Sequence, residues 1–243
     1  MPFSEGGDLS GLYTKTKQAY RGGKSLKNPD TSSYFHERQI LWWAKQMIQG
    51  VGALHDAELV HKDIKTPNIL INGDMKLVVC DFGLVQKVPV GGTITRGGGT
   101  PSTWAPEVAS KKAFNCSADW WSIGIVIYQL MFQRSPFDDA SLTKKADETK
   151  ADFTKRSRDQ YQARHKGDYV IKYDESEGDE IPQNGFGLAE HYSQNLKDLV
   201  AALLVRDPTQ RLGYTKDFKN DAKDILAHKA FELLTAVEGH DGS

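Results

Sequence analysis

The stretch Ser117–Phe132, SADWWSIGIVIYQLMF, constrains the fold more than any other part of the chain. A helix drawn through it is apolar nearly all round, which is typical of a helix buried at the centre of a domain. It falls short of the roughly 20 apolar residues that cross a bilayer. The chain has 243 residues, of which 39% are hydrophobic, and a fold of this size buries roughly 70–75% of its unfolded surface. The sequence therefore predicts a core built around this helix.

Other segments predict the elements that surround it. Apolar residues at helical spacing predict a helix from about Tyr34 to Asp56, with Ser33 as its N-cap. Helices are also predicted at 196–204 and near 221–234, and an irregular segment at 81–103. The apolar runs 69–71 and 75–79 flank Asn72-Gly73-Asp74, which predicts a β-hairpin. The predicted fold class is mainly α (α+β), with one small hairpin.

A polar and highly charged segment runs from about residue 138 to 194. We interpret it as a mostly solvated insertion, with one helix around Asp147–His165 that forms a solvated face. The insertion is also a candidate contact surface for a partner protein.

Charge and cysteine content exclude several classes of protein. The formal net charge of −1 creates no long-range field for nucleic acid or an acidic membrane, so we expect neither partner and no membrane insertion. Cys80 and Cys116 are the only cysteines, which argues against a disulfide scaffold and fits the reducing cytosol. The first ten residues, MPFSEGGDLS, lack the basic and apolar regions of a secretory signal. We expect a cytoplasmic protein, with the nucleus left open.

The polar loop VHKDIKTPNIL, residues 60–70, carries the candidate chemistry. Asn68 precedes one strand of the predicted hairpin and Asp81 follows the other, so Asp63, Asn68 and Asp81 can converge on one cavity. Carboxylate and amide oxygens suit Mg²⁺ with bound phosphate. A further carboxylate could accept a hydroxyl proton, and Lys65 could neutralise a transferring phosphoryl group.

Three short motifs, HKDIKTPN at 61–68, DFG at 81–83 and APE at 105–107, resemble the signature set of the eukaryotic protein kinases. The resemblance implies that Asp63 is the catalytic base, Asn68 a second-metal ligand and Asp81 the principal Mg²⁺ ligand. It implies ATP and Mg²⁺ as cofactors and protein substrates that carry serine or threonine. It gives supporting or regulatory roles to His61, Lys62, Phe82 and Gly83.

Two more motifs fit the same resemblance. DWWSIG resembles the central-helix motif whose acid, here Asp119, braces the catalytic loop. RDPTQRLG, residues 206–213, resembles the motif whose arginine, here Arg211, pairs with the glutamate of APE, here Glu107. SPF at 135–137 and AHKAF at 227–231 resemble late landmarks of the cyclic-nucleotide-dependent and receptor-kinase group.

Specificity and regulation depend on single positions. Lys65, and Thr100 within GTP, resemble the serine/threonine subfamily, in which this threonine bonds to the base and the lysine. Lys62 stands where most relatives have an arginine that clamps a phosphate on the activation loop, and lysine lacks its bidentate fork. Thr93 and Thr95 are the candidate phosphosites of that loop.

The start of the chain, MPFSEGGDL, resembles the hinge between the two kinase lobes. The implied nucleotide contacts are Met1, Ser4, Asp8 and Leu70. Neither a glycine-rich loop nor a VAIK-type lysine is found, so we expect a protein-kinase-like C-lobe with the N-lobe absent from the chain, inactive on its own. The expected domain covers residues 1–237, with a tail at 238–243.

Two alternatives remain open. One is a non-catalytic, kinase-derived binding module, although such a module has no physical reason to keep Asp63, Asn68 and Asp81 together. The other is a metal-dependent hydrolase that uses the same acids, which explains neither the Glu107–Arg211 pair nor the central-helix motif. Phosphate transfer that is lost on Asp63→Ala would exclude the binding module.

Overall fold

The computed structural model describes residues 6–12, 14–15, 35–132, 134–136, 147–165 and 192–235. Several predictions fall outside the described residues: the N-cap Ser33, the nucleotide contacts Met1 and Ser4, the tail at 238–243, and the parts 138–146 and 166–191 of the insertion predicted at about 138–194.

The described residues are mostly helical. Residues 9–12 are helical, and the helices that follow are α1 (Glu37–Asp56), α2 (Pro106–Ala109), α3 (Ser117–Phe132), α4 (Lys150–His165), α5 (Gln194–Leu203), α6 (Asp221–Leu226) and α7 (Glu232–Thr235). The strands are β1 (Leu59–Val60), β2 (Ile69–Ile71), β3 (Leu77–Val79) and β4 (Gln86–Lys87). Single 3₁₀ turns lie at Thr66–Asn68, Phe82–Leu84, Pro101–Thr103 and Lys229–Phe231.

Helix α3 lies at the centre of the molecule, as its composition predicts. Every side chain in it except that of Gln129 is buried. Helices α1 and α5 pack against it, so the all-round apolar surface of α3 is enclosed by the stripes of two amphipathic helices. Burial of that surface is the main source of stability in this part of the fold.

Helix α1 begins at Glu37, later than the predicted start at Tyr34. His36 has extended backbone and forms no side-chain cap, so the helix begins only after it. The Glu37 carboxylate instead accepts from the backbone N–H of Ser193 at 2.7 Å. Ser193 in turn caps α5, because its Oγ accepts from Leu196 N at 3.2 Å. One contact therefore sets the beginnings of two helices.

The predicted hairpin is confirmed: β2 and β3 are antiparallel, with Ile69 opposite Val79 and Ile71 opposite Leu77. The turn is longer than the three residues predicted. Asn72 Oδ1 accepts from Lys76 N at 2.8 Å, and this side-chain bond stabilises a wider loop. A second two-stranded sheet, β1 with β4, was missed because each strand has only two residues.

The C-terminal helix predicted near 221–234 is broken into three parts. α6 ends at Leu226, and His228 has extended backbone and accepts from Ala230 N through its side chain. That local bond starts a 3₁₀ turn before α7 begins. Competition of this kind between side chain and backbone ends helices.

The helix predicted within the insertion is present as α4, but it is more than the solvated face we expected. It lies against the Pro101–Thr103 turn and against α2. Within the part of the chain described, no helix has the length and apolar content needed to cross a membrane.

Candidate active site

The polar loop is held between two strands. It follows β1, passes through the Thr66–Asn68 turn and enters β2. Cys80 N donates to Asn68 O at 2.9 Å, so the residue before Asp81 is bonded to the residue that ends the loop. The hairpin thus brings Asn68 and Asp81 to the same side, as the sequence predicts.

Asp63 is the centre of a closed polar cluster. Lys65 Nζ donates to Asp63 Oδ2 and to Thr100 Oγ1, each at 2.8 Å. Thr100 Oγ1 donates to Asp63 Oδ1 at 2.8 Å, and Asn68 Nδ2 donates to Asp63 Oδ2 at 3.1 Å. These bonds fix the orientation of the buried carboxylate. Because each carboxylate oxygen has two acceptor sites, Asp63 keeps acceptor capacity for an incoming hydroxyl.

Thr100 reaches this cluster because Gly99 precedes it. Gly99 has φ 86° and lies directly against Lys62 O, so any side chain at this position would collide with the loop backbone. Left-handed backbone of this kind favours glycine. Gly99 supports the cluster and was not predicted from the sequence, although it directly precedes Thr100 in the glycine-rich run GGGTP.

Asp119 anchors the backbone of the loop from α3. Its Oδ2 accepts from His61 N at 2.7 Å and its Oδ1 from Lys62 N at 2.9 Å. Lys62 has left-handed backbone with φ 70°, a strained conformation for a residue with a long side chain. Burial alone would raise the pKa of Asp119, but hydrogen bonds from His55, His61 and Lys62 hold it below its usual value.

His61 braces the loop on its other side. Its Nε2 lies 3.1 Å from Cys80 O, and its Nδ1 accepts from Asp63 N at 3.3 Å. Its ring centroid lies 5.6 Å from that of Phe82, and Phe82 itself is 54% exposed. The histidine therefore joins the polar loop to the DFG segment.

Asn68 and Asp81 offer oxygen atoms that suit magnesium. Asn68 Nδ2 is used by Asp63 O at 2.9 Å, which turns its Oδ1 away from Asp63. Asp81 is exposed, has φ 64° and accepts from Gly83 N at 3.4 Å. Among the described residues no group of three or more His, Cys, Asp or Glu forms a metal cage. Mg²⁺ in phosphate-transfer sites needs only one or two carboxylates plus substrate phosphates, so these residues fit it.

The two predicted nucleotide-contact residues that the structure describes, Asp8 and Leu70, lie beside the hairpin. Asp8 forms an isolated antiparallel bridge with Leu70, and Gly6 N donates to Ile71 O at 3.1 Å. Asp8 Oδ1 accepts from Gly11 N at 2.7 Å. One carboxylate oxygen of Asp8 is therefore used to cap the helical residues that follow.

Lys62 makes a contact that the sequence did not reveal. Its Nζ donates to Gln86 Oε1 at 2.9 Å, which ties the polar loop to β4. Burial and the nearby Arg96 lower the pKa of Lys62.

The candidate phosphosites Thr93 and Thr95 are exposed residues on either side of the buried Ile94, so neither is enclosed by the fold.

Glu107 and Arg211 are in contact, as predicted. Arg211 donates through Nη1 to Glu107 Oε1 at 2.8 Å and through Nη2 to Oε2 at 3.0 Å. The guanidinium also donates to Ser117 O at 2.9 Å and lies over the Trp121 ring at 5.3 Å. Arg211 thus links α2, through the buried bidentate pair with Glu107, to α3, through Ser117 O and Trp121.

Comparison with known proteins gives one family. The family model described as "Protein kinase domain" matches residues 15–231. The chain is similar to serine/threonine-protein kinase sgk-1 of Caenorhabditis elegans, with 26% identity over 86% of this chain and 38% of the relative. It is 28% identical to two kinases of Drosophila melanogaster. These are the RAC serine/threonine-protein kinase, over 89% of this chain and 30% of the relative, and cAMP-dependent protein kinase catalytic subunit 3, over 88% and 30%. The chain thus spans 30–38% of the length of these relatives.

These findings confirm the predicted resemblance to serine/threonine kinases and correct the predicted fold class. The expectation of a C-lobe without an N-lobe is wrong, because the protein kinase domain is matched over residues 15–231 and relatives align with 86–89% of this chain. The expectation rested on two short motifs that were not found, whereas the match rests on the pattern of the chain as a whole. The expected inactivity had the same premise and no longer follows.

Proposed function

We propose that this chain, which belongs to the protein kinase family, transfers the γ-phosphoryl group of ATP to serine or threonine hydroxyls of protein substrates. The observation that carries the proposal is the closed cluster of Asp63, Lys65, Thr100 and Asn68, held by bonds of 2.8–3.1 Å. A substrate hydroxyl placed beside Asp63 would donate its hydrogen to the carboxylate as its oxygen bonds to the γ-phosphorus, while the bond from that phosphorus to the bridging oxygen breaks and ADP leaves.

The other residues of the cluster fix the position of the Asp63 carboxylate, and with it the place where phosphoryl transfer would occur. Lys65 Nζ keeps a positive charge beside the Asp63 carboxylate at 2.8 Å, close to where a phosphoryl group would carry negative charge. Such preorganised charge is a large part of catalysis in phosphoryl transfer. Thr100 holds the side chains of Asp63 and Lys65 in fixed positions relative to each other. This arrangement supports a serine/threonine kinase rather than another kinase class.

ATP and Mg²⁺ are the proposed cofactors. Asn68 Oδ1 and the Asp81 carboxylate would hold the metal, and Asp8 with Leu70 would border the nucleoside. When bound, Mg²⁺ neutralises phosphate charge that would otherwise oppose attack. The protein's own contribution is to fix Asn68 through Asp63, and Asp81 through the Cys80–Asn68 backbone bond at 2.9 Å.

The cytoplasm is the compartment that we propose, because both cysteines are free thiols. We also propose that the domain spans residues 1–237 and that the insertion at 138–194 is a contact surface for a partner protein.

The test is phosphate transfer from radiolabelled ATP to a generic basic protein. We expect Asp63→Asn to lower kcat roughly 10²–10⁴-fold, because the amide keeps the shape and loses the proton acceptor. The variant should still fold, with a lower melting temperature, because the amide NH2 cannot accept the bonds that one carboxylate oxygen receives. Asp74→Asn in the exposed hairpin turn is the matched control and should transfer at the wild-type rate. Equal rates for both variants would contradict the role of Asp63. No transfer by the wild-type protein would favour the non-catalytic binding module.

A further inference from the structure

We propose that Asp221 is a positioning residue for the catalytic loop, which it controls from the C-terminal part of the chain through His55 and Asp119. The inference rests on the proposed kinase function for its effect on rate. Its structural part can be tested without kinase activity.

His55 lies between two carboxylates in the core. Its Nδ1 is 2.6 Å from Asp221 Oδ2, and its Nε2 is 3.0 Å from Asp119 Oδ2. Carboxylates accept hydrogen bonds and a neutral imidazole has only one N–H, so both contacts are satisfied only by the imidazolium. Burial would lower the pKa of His55, but the two carboxylates outweigh it and raise the pKa to about 9. His55 is therefore charged at neutral pH.

Each carboxylate accepts three hydrogen bonds. Asp119 accepts from His55, His61 N and Lys62 N. Asp221 accepts from His55, from Trp120 Nε1 at 3.0 Å and from Ala222 N at 2.7 Å. Bonds of this number and type stabilise buried charge. The result is one continuous network from α6, through α1 and α3, to the backbone beside Asp63.

The order of dependence follows from the geometry. Asp119 Oδ2 is shared between His55 Nε2 and His61 N, so a shift of His55 moves the acceptor that holds the loop. The position and charge of His55 depend in turn on Asp221. Without the Asp221 charge, one of the two acids that keep His55 protonated is lost. A neutral ring has one N–H for two neighbours, so the charge-assisted bond to Asp119 weakens and the ring loses its fixed position between the two residues. Asp63 follows directly after the two anchored N–H groups, so it would move with them.

Close packing brings Asp221 to this position. The neighbouring Ala222 lies against Gly52 on α1, where a side chain would collide with the Ala222 Cβ. Asn220 N also donates to Asp56 Oδ1 at 3.4 Å. The beginning of α6 is thus docked on the last turns of α1, the part of that helix that carries His55.

The experiment compares Asp221→Asn with Asp224→Asn, a matched change at an exposed position of the same helix. In Asp221→Asn we expect kcat to fall roughly 10–100-fold, because small displacements of a catalytic group have effects of this size, with KM for ATP and substrate little changed. Amide hydrogen exchange at His61 and Lys62 should accelerate, while amides in the middle of α3 keep their protection. Asp224→Asn should behave as wild type in both measurements.

A second measurement uses the wild-type protein and does not depend on a variant that folds. The charged groups that face His55 among the described residues are Asp119 from α3 and Asp221 from α6. Burial and these two acids raise the pKa of the nearby Cys116 thiol far above its usual value, so the thiol stays neutral. Because the pKa of His55 is raised, its charge is lost as pH rises through about 9. Protection at His61 and Lys62 should decrease in that range before the protein unfolds globally.

The outcomes distinguish failure of the proposed kinase function from failure of the proposed positioning role of Asp221. If the wild-type protein transfers no phosphate, the proposed function has failed, and the exchange data still decide whether Asp221 positions the loop. Unchanged protection at His61 and Lys62 in Asp221→Asn would overturn the inference. So would a loss of protection spread evenly over the core amides, because that result describes general destabilisation.

Discussion

At the scale of single residues, Thr100 has one role in the candidate active site, which is to connect two charged side chains. Its hydroxyl donates to Asp63 Oδ1 and accepts from Lys65 Nζ, each at 2.8 Å. It thereby joins the carboxylate and the ammonium in a fixed relation without being charged itself. Its removal changes that relation and leaves both charged groups in place.

Thr100→Val tests this task because valine has nearly the shape of threonine. Without the hydroxyl, the Asp63 carboxylate and the Lys65 ammonium lose the group that fixes their relative position, and displacements of this kind slow catalysis, so we expect kcat to fall roughly 10–100-fold. Thr100→Ser keeps the hydroxyl and should retain most of the wild-type rate. Steady-state kinetics on both variants checks this. If valine and serine gave the same kcat, the hydroxyl would have no part in catalysis.

At the scale of secondary-structure elements, the contact between α1 and α6 depends on one glycine. Gly52 is buried and its Cα faces the Ala222 Cβ at a distance that leaves no room for a side chain. Gly50, two residues earlier, is exposed and has only an ordinary contact with Val79. The two glycines therefore respond differently to the same substitution.

We expect Gly52→Ala to lower the free energy of unfolding by about 1–3 kcal/mol, since overpacking forces the helices apart. Gly50→Ala should raise it by roughly 0.5–1 kcal/mol, because alanine reduces the entropy lost when a helix forms. Ala222→Gly added to Gly52→Ala should recover most of the loss. Urea denaturation of the four proteins measures these changes. A destabilising Gly50→Ala, or no recovery in the double variant, would show that the contact is not the cause.

The elements that could be predicted from sequence are those encoded by local patterns. The central helix α3 is apolar at almost every position, and the hairpin is marked by Asn72 and Gly73, so both were found. The side chains that contact Asp63 were predicted from the motif resemblance, because residues that match a family's motif are expected to take the same positions in space. The pair His55 and Asp221 was missed, because its members are 166 residues apart and no local pattern relates them. The break after Leu226 depends on a side-chain bond of His228 and was missed for a similar reason.

At the scale of the whole molecule, the candidate active site is assembled from parts that are distant in sequence. Glu107 and Arg211 are 104 residues apart, and both are buried. Their bidentate pair holds the segment that follows Thr100 against the C-terminal part of the chain. Loss of one partner would leave a charge buried without its counterion.

Glu107→Gln should therefore lower the free energy of unfolding by roughly 3–5 kcal/mol. The matched control is Glu58→Gln, which removes a surface ion pair with Lys87 at 3.3 Å and should cost less than about 1 kcal/mol. Chemical denaturation monitored by tryptophan fluorescence compares the two variants. Similar small losses would mean that the buried guanidinium finds other acceptors.

The contact between Gly52 and Ala222 also restricts the order in which this protein can change over generations. A β-carbon at position 52 and one at position 222 cannot both be accommodated at the present helix spacing. A lineage that acquires alanine at 52 first would pass through a destabilised intermediate, whereas one that first loses the β-carbon at 222 would reach the same pair by small steps. The two substitutions are therefore epistatic. Whether alanine at position 52 stabilises or destabilises the fold depends on whether the β-carbon at position 222 is still present.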